Sequence, residues 1–417
     1  MSVPRFQLFH LSVAYETSTR RDYLKYSGVV VGSGLLAGCL GGNESSSAPE
    51  STTTGTQTTD TAPNEKAAAA DGSYSVTMAP MGPVTFDAVP ERIFTRLTHL
   101  AGMAFALGRG NDVTAMHAPD YYHALWNQFT PRLEGVSLDW TGLYSSWETS
   151  KEKLYELDSD VHLADPASVF ALESWNMDDI EEISENVGPW FGNNYSDRHA
   201  EPPAEWADDY QYYGLWEMFE KVAAVFREEA RYEALAEIRA GILDSIESNL
   251  PPDGKRPTAV MITAADLERD IYAYTLNTPG FLTAHTRPLG PQDAFDGTIE
   301  SGAVVDFEAL LEADPDVILF LGGIHPDSNM QDIRETLGAA PVASEITAVQ
   351  NDRVHPLGAR YQGPILNLFQ LEMSAKQLYP EQFGEWPTYV KGPYPEIPES
   401  ERMLDRQRVA EVINGDI

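Results

Sequence analysis

The longest helical pattern of apolar and polar positions covers residues 214–249. Its apolar residues recur every three or four positions, with Glu, Lys and Arg between them: Leu215, Met218, Phe219, Val222, Val225, Phe226, Leu235, Ile238, Ile242 and Ile246. Pro251 and Pro252 end the pattern. As one straight helix it would be roughly 50 Å long at 1.5 Å per residue, which is enough to join two lobes. We therefore predict a linking helix over residues 214–250, with a ligand cleft between the lobes that it joins.

Each side of this linker repeats one order of elements, in which short apolar strands alternate with helices. In the N-terminal lobe, residues 73–213, we predict a hairpin at 73–86, strands at 89–96, 112–116 and 160–163, and helices at 99–107 and 152–157. In the C-terminal lobe, residues 251–383, we predict strands at 257–263, 315–321 and 353–357, and helices at 306–313 and 365–379. Strands separated by helices favour parallel sheets. The predicted fold class is α/β, with two Rossmann-like lobes joined by a long α-helix.

The first 39 residues have the pattern of an export signal. Arg20 and Arg21 precede a run of about a dozen apolar residues, which is too short to span ~30 Å of hydrocarbon as a helix. The run ends at Leu36-Ala37-Gly38-Cys39, which looks like the lipobox of a lipoprotein. We predict a twin-arginine lipoprotein signal, with lipid attached to Cys39; an ordinary buried cysteine is the alternative. The residues before Thr19 are unusual for such a signal, and a misassigned start codon would explain them.

Cys39 is the only cysteine of the chain, which leaves the mature protein without disulfides and Cys-ligated metal sites. Residues 40–72 are rich in Ser, Thr, Ala and Gly and have almost no large apolar side chain, so they predict a disordered tether. Residues 384–417 are Pro-rich and then helical, over residues 400–413, and the sequence does not place this tail.

Acidic residues outnumber basic residues by 64 to 28, which gives a net charge of −36 and a pI of about 4.4. This sign opposes binding to nucleic acid phosphates, so nucleic acid is excluded as a partner. Self-repulsion of this size is tolerated where salt shortens the Debye length to about 3 Å, at 1 M. We infer a high-salt source, with a moderately acidic surface protein as the alternative.

Six short segments, in this order along the chain, resemble the substrate-binding proteins of iron–siderophore and vitamin B12 ABC importers. They are VPERI at 89–93 with ALGRGNDV at 106–113, LYELDSDV at 154–161, FEALLEADPDVI at 307–318, AVQNDRV at 348–354 and YPEQF at 379–383. The resemblance implies the class III periplasmic-binding-protein fold, in which one helix joins two lobes and permits little closure. Two departures stand out. The Gly-containing break before the linking helix is missing, so the helix proper is expected to begin near Arg227; and an insertion rich in Trp and Tyr occupies residues 167–213.

The resemblance also implies that the protein docks on a membrane permease through one Glu from each lobe. In each lobe this Glu lies on the helix that precedes the Asp-containing strand. The matching positions are Glu152 and Glu308. An acidic residue in the first turn of a helix is also favoured by the helix dipole, by about 0.3–1 kcal/mol, so a solvated surface Glu is the alternative.

Candidate ligand-binding residues follow the strands of both lobes, because open α/β sheets bind ligands at the carboxyl ends of their strands. They are Arg96, His99, Tyr121, Tyr122, Asp165 and Ser168 in the first lobe, and His325, Arg360 and Tyr361 in the second. Arg pairs with the anionic oxygens of a ferric chelate, and aromatic faces cover its apolar parts. Loop hydrogen bonding is the alternative for each residue. The aromatic residues Trp140, Trp147, Trp175, Trp190 and Tyr195 are expected in the lobe core.

Catalytic and resident-metal functions have weaker support. The segment 117–123 holds His117, Asp120 and His123, but Pro119 breaks the helix that would align them around a metal. The sequence has no G-x-S-x-G, no P-loop and no strand followed by G-x-G-x-x-G. We therefore expect no catalysis, no metal site and no cofactor.

Together these features predict a lipid-anchored receptor on the outer face of the cytoplasmic membrane, which captures a ferric siderophore or related chelate and delivers it to an ABC permease. Cobalamin, haem and molybdate remain alternative ligands. A surface enzyme or an adhesion lipoprotein on the same scaffold is the alternative function, since a fold does not fix a function.

Overall fold

The computed structural model describes residues 72–417, so the predicted signal, Cys39 and nearly all of the predicted tether lie outside the described residues. The described chain begins with the predicted antiparallel hairpin, β1 (Tyr74–Met78) and β2 (Gly82–Phe86). Within residues 72–417, no helix combines the length and the apolar character needed to cross a membrane.

The N-terminal lobe is built on a parallel four-stranded sheet. Its strands are β3 (Ile93–Thr95), β4 (Val113–Met116), β5 (Tyr144–Ser145) and β6 (Val161–Leu163), in the order β5-β4-β3-β6. Its helices are α1 (Thr98–Ala106), α2 (Pro119–Trp126), α3 (Lys151–Leu157), α4 (Pro166–Phe170), α5 (Met177–Asn186) and α6 (Ala204–Ala207). The last three belong to the insertion, and the first strands and helices follow the predicted order.

The linker consists of two helices, α7 (Leu215–Phe226) and α8 (Glu229–Asn249), so the helical pattern of residues 214–249 does not form one continuous helix. The break lies at Arg227, near which the linking helix proper is expected to begin. Arg227 takes a left-handed conformation with φ of 54°, donates a hydrogen bond to the carbonyl of Gly72 and packs over the ring of Tyr74. The apolar pattern continues across the break, because α7 and α8 pack on one core. With 21 residues, α8 is about 31 Å long.

The C-terminal lobe has a mixed sheet. Its strands are β7 (Thr258–Ala264), β8 (Ile271–Tyr274), β9 (Gln292–Asp293), β10 (Ala303–Val305), β11 (Val317–Phe320) and β12 (Val354–Pro356), in the order β10-β8-β7-β11-β12, with β9 beside β7. The pairs β7-β11 and β11-β12 are parallel, whereas β8 runs antiparallel to both of its neighbours. The helices are α9 (Phe307–Ala313), α10 (Met330–Ala339), α11 (Thr347–Gln350), α12 (Pro364–Leu378) and α13 (Pro380–Phe383).

One helix-to-strand unit occurs in both lobes, as α3 with β6 and as α9 with β11. Each helix has seven residues and ends at an Asp in the left-handed conformation, Asp158 with φ of 47° and Asp314 with φ of 38°. Two residues later another Asp fixes the following strand. Asp160 accepts from the backbone N–H of Arg92, and Asp316 from that of Thr258.

The C-terminal tail packs across both lobes and ends in helix α14 (Arg406–Asn414). The tail is held by Glu372 of α12. This side chain is fully buried, and its carboxylate accepts four hydrogen bonds from the tail. The donors are the hydroxyl of Tyr394, the backbone N–H groups of Met403 and Leu404, and the guanidinium of Arg406 at 3.1 Å. On the N-terminal lobe, Arg132 pairs with Glu396 at 2.7 Å. The tail is therefore part of the folded body.

Candidate functional site: a cavity between the lobes

Aromatic rings from the two lobes meet directly between them. Tyr121, at the start of α2, stacks on His325, which follows β11, with ring centroids 4.1 Å apart. His99, at the start of α1, stacks on Phe281 with centroids 4.3 Å apart and lies 6.0 Å from the ring of Tyr361. Burial lowers the pKa of His325 to about 4 and that of His99 to about 3, so both rings are neutral near pH 7. These residues close one part of the gap between the lobes.

A cavity of about 1280 Å³ remains between the insertion and the C-terminal lobe. The insertion supplies one wall, from residues 170–173 and 197–205 together with Trp175 and Tyr195. The C-terminal lobe supplies the other, from Thr275, Thr278, residues 299–301 and Arg360. Of the predicted ligand-binding residues, all of which are described, Arg360 is the one that lines this cavity.

Arg360 is a buried cation, with 2 % of its surface exposed. One guanidinium nitrogen, Nη2, lies 2.8 Å from Nε2 of His199 in the insertion, and the guanidinium carbon lies 3.9 Å from the ring centroid of Tyr274. Nε and Nη1 have no hydrogen-bond partner in residues 72–417, and Arg360 forms no salt bridge there. Buried donors without partners cost free energy, about 1–3 kcal/mol for each group. At the wall of a cavity, such donors favour a ligand with anionic oxygens.

Asp197 lies next to Arg360 and ties the insertion to the C-terminal lobe. Its carboxylate accepts from the backbone N–H of His199 at 2.9 Å and from the hydroxyl of Tyr361 at 3.2 Å. Burial raises the pKa of Asp197 to about 6, although the hydrogen bonds and the charge of Arg360 act in the opposite direction. Tyr361 therefore serves as a contact between the lobes.

Asp165 and Ser168, with Arg96, form a second buried group that holds the insertion on the end of β6. Asp165 caps α4 by accepting from Ala167 at 2.8 Å, and it also accepts from the backbone of Asn194 at 2.7 Å. Ser168 accepts from Nη1 of Arg96 at 3.0 Å. Burial raises the pKa of Asp165 to about 6.

The remaining candidates lie in the N-terminal lobe. Tyr122 is buried, with its ring centroid 6.1 Å from that of His117. The candidate metal residues do not converge, because His117 packs on Trp147 while His123 accepts from the backbone N–H of Trp140. Within residues 72–417, no group of three or more His, Cys, Asp or Glu is placed to hold a metal ion.

Most of the cavity wall comes from the insertion, whose role sequence reasoning did not assign. Trp175 and Tyr195, expected in the lobe core, line the cavity and are also buried. Trp140 and Trp190 are buried in the lobe as expected, and the half-buried ring of Trp147 lies 4.7 Å from the guanidinium of Arg96. The signals that could have indicated this wall are the aromatic content of the insertion and its position directly after β6.

Glu152 and Glu308 are exposed and occupy the same position, the second residue of α3 and of α9. The helices begin with equivalent caps: the side chain of Ser150 accepts from Lys153, and that of Asp306 accepts from Ala309. Hydrogen bonds from its own backbone N–H and from Ser150 lower the pKa of Glu152. The two carboxylates are thus presented on the surface by matching elements of the two lobes.

Comparison with known proteins agrees with this architecture. The family model described as periplasmic binding protein matches residues 163–361. A periplasmic binding protein from Veillonella parvula is similar in structure, with a TM-score of 0.53 and 16 % identity over 78 % of this chain and 95 % of that one. A periplasmic solute-binding protein from the same organism gives a TM-score of 0.51 and 15 % identity, over 75 % of this chain and 88 % of that one. No curated protein matches the sequence.

The fold is therefore that of the class III periplasmic binding proteins, two α/β lobes connected by helix. At such low identities the structural similarity shows the fold and does not identify the ligand.

Proposed function

We propose that this protein is the solute-binding component of an ABC importer, and that it captures an iron–siderophore or related metal chelate outside the cell. It catalyses no reaction and requires no cofactor. In this proposal the chain is exported by the twin-arginine route and held at the outer face of the cytoplasmic membrane by lipid on Cys39, in a haloarchaeal cell. The periplasmic-binding-protein family match and the bilobed fold support the class of function.

The observation that carries the choice of ligand is Arg360. This buried guanidinium lies at the wall of a 1280 Å³ cavity with two donors that have no partner in residues 72–417. A cavity of this size suits a ligand of several hundred daltons. The metal-bound oxygens of a chelate are acceptors that match the two donors, and Trp175 supplies an aromatic wall.

Delivery to the permease completes the proposal. We assign Glu152 and Glu308 as the docking residues, each accepting a basic side chain of the permease. Their exposure and matching positions in the two lobes support this role.

Ligand binding is tested by tryptophan fluorescence titration of the full chain in molar salt. The panel contains ferric hydroxamate and catecholate chelates, cobalamin, haem and molybdate. We expect saturable sub-micromolar quenching by a ferric chelate and a loss of about ten- to one-hundredfold in affinity on Arg360→Gln, as expected for hydrogen bonds to a charged group. Arg334→Gln is the matched control, because Arg334 is a partly buried Arg of the same lobe whose guanidinium already donates to the carbonyls of Val354 and Tyr389. Folded protein that binds no member of the panel would contradict the proposal.

A further inference from the structure

The charged residues of the cavity are separated by depth. The buried end holds Arg360 and Asp197, whose side chains are 2 % and 6 % exposed. The remaining acidic residues of the lining are exposed, and therefore lie at the mouth: Glu173, Glu201, Glu205 and Glu300. The mouth has one exposed Arg, Arg198, whose guanidinium carbon lies 3.4 Å from the ring centroid of Tyr212.

This arrangement gives the two ends of the cavity opposite preferences. At the buried end, Nε and Nη1 of Arg360 favour acceptor oxygens. At the mouth, four carboxylates against one guanidinium favour a cationic group, and they repel an anion of high charge. The net charge of −36 adds a long-range repulsion of the same sign at low salt.

Asp197 further limits the anionic charge that the buried end can accept. Its carboxylate interacts electrostatically with Arg360, so the pair together carries less net positive charge than the guanidinium alone. A trianionic chelate would leave most of its charge uncompensated in this cavity. A chelate whose metal-bound oxygens carry only partial negative charge avoids the free-energy cost of burying an uncompensated charge.

Resting on the proposed function, we infer that the ligand is a chelate with separated charges. Its metal-bound oxygens face Arg360 at the buried end, and a free ammonium group faces the carboxylates at the mouth. A ferric trihydroxamate that bears a terminal amine has this distribution, whereas a ferric tricatecholate trianion does not. The carboxylate of Glu201 accepts from Tyr212 at 2.9 Å, which holds one acceptor of the mouth in place.

The test compares three probes on the full chain by fluorescence titration. They are a ferric trihydroxamate with a free terminal ammonium group, its N-acetylated derivative and a ferric tricatecholate. Acetylation removes the positive charge and keeps the iron centre. We expect the ammonium form to bind about tenfold more tightly than the acetylated form, because two or more exposed ion pairs each contribute a few tenths to 1 kcal/mol. The difference should shrink between 0.1 M and 3 M salt.

The protein variant replaces the four glutamates of the mouth, Glu173→Gln with Glu201→Gln, Glu205→Gln and Glu300→Gln. The expected result is loss of the preference, so that the ammonium and acetylated forms bind with affinities within about twofold of each other. The control variant makes the same change in net charge on the exposed face of α8, and it should retain the preference for the ammonium form. It combines Glu229→Gln, Glu233→Gln, Glu237→Gln and Glu247→Gln. Circular dichroism checks the folding of both variants.

Equal binding of the ammonium and acetylated forms by the unmodified protein would overturn the inference while leaving the proposed function intact. Tighter binding of the tricatecholate would overturn it in the same way. Folded protein that binds none of the three probes would instead contradict both the inference and the proposed function.

Discussion

The ring of Tyr121 lies on the ring of His325 with their planes 9° apart, so one side chain from each lobe closes the space between them. Both residues follow strands of their lobes, at positions where open α/β sheets place ligand contacts. In this protein they contact each other. The cavity lies elsewhere, against the insertion and Arg360.

This contact predicts that Tyr121→Ala affects stability and leaves ligand binding largely unchanged. The loss of a stacked pair and of its burial should lower the free energy of unfolding by about 1–2 kcal/mol, measured by urea denaturation. Affinity for the ferric chelate should remain within about twofold. Tyr121→Phe keeps the ring and serves as the control. A tenfold loss of affinity at unchanged stability would show that the ligand contacts Tyr121.

A second prediction concerns the pH dependence that His99 creates. Burial lowers its pKa to about 3, far below the ordinary value of 6.5, and neither ring nitrogen has a hydrogen-bond partner in the described chain. Below pH 6.5, His99 therefore binds a proton in the unfolded chain, whereas in the folded chain it stays neutral until the pH approaches 3. The stability contributed by the neutral ring is present above pH 6.5 and is lost as the pH falls toward 3.

His99→Phe removes this titration and keeps the stack on Phe281. Between pH 7 and pH 4.5, the variant should lose about 2–3 kcal/mol less unfolding free energy than the unmodified protein. The measurement is urea denaturation at both pH values. Parallel pH profiles for the unmodified protein and His99→Phe would refute this account of His99.

The tail gives a third prediction, through the buried ion pair between Glu372 and Arg406 at 3.1 Å. Glu372→Ala leaves a buried guanidinium without its carboxylate and removes the acceptor for two backbone N–H groups. We expect a loss of about 3–5 kcal/mol in unfolding free energy and faster proteolysis after residue 384. Glu381→Ala changes an exposed carboxylate near the start of the tail and should change neither quantity. A tail that stays protected in Glu372→Ala would show that other contacts hold it.

The proposed docking role is tested by reversing the charge at Glu152 and Glu308. Glu152→Arg with Glu308→Arg should abolish chelate uptake in cells that express the permease, because like charges would then face each other at the contact. Chelate affinity of the isolated protein should stay the same, since neither residue lines the cavity. Glu233→Arg with Glu247→Arg makes the same change in charge on α8. Normal uptake by the docking variant would contradict the role of these two residues.

The sequence was sufficient to predict the parts of the fold that depend on local periodicity. The strands Thr258–Ala264 and Val317–Phe320 are mostly apolar, and all their residues except Thr258 are buried in the sheet as expected. The break at Arg227 has no signal in the apolar pattern, and the residue that Arg227 packs against, Tyr74, is far away in the chain. Its approximate place was indicated only by the resemblance to a family.

The candidate site was predicted less completely, for a physical reason. Position after a strand selects residues near the interface of the lobes, but it cannot distinguish a residue that lines a cavity, such as Arg360, from one that meets the other lobe, such as Tyr361. That choice depends on the relative placement of the lobes and on the insertion. For the same reason the part of His199 in holding Arg360 was not foreseen.

The central claim, that a metal chelate occupies the cavity beside Arg360, is tested most directly by anomalous diffraction from crystals of the protein grown with a ferric trihydroxamate. The account predicts one iron peak inside the cavity, with an iron-bound oxygen about 3 Å from Nε or Nη1 of Arg360. An iron site outside the cavity, or a chelate that separates Tyr121 from His325 and leaves Arg360 without contact, would contradict it.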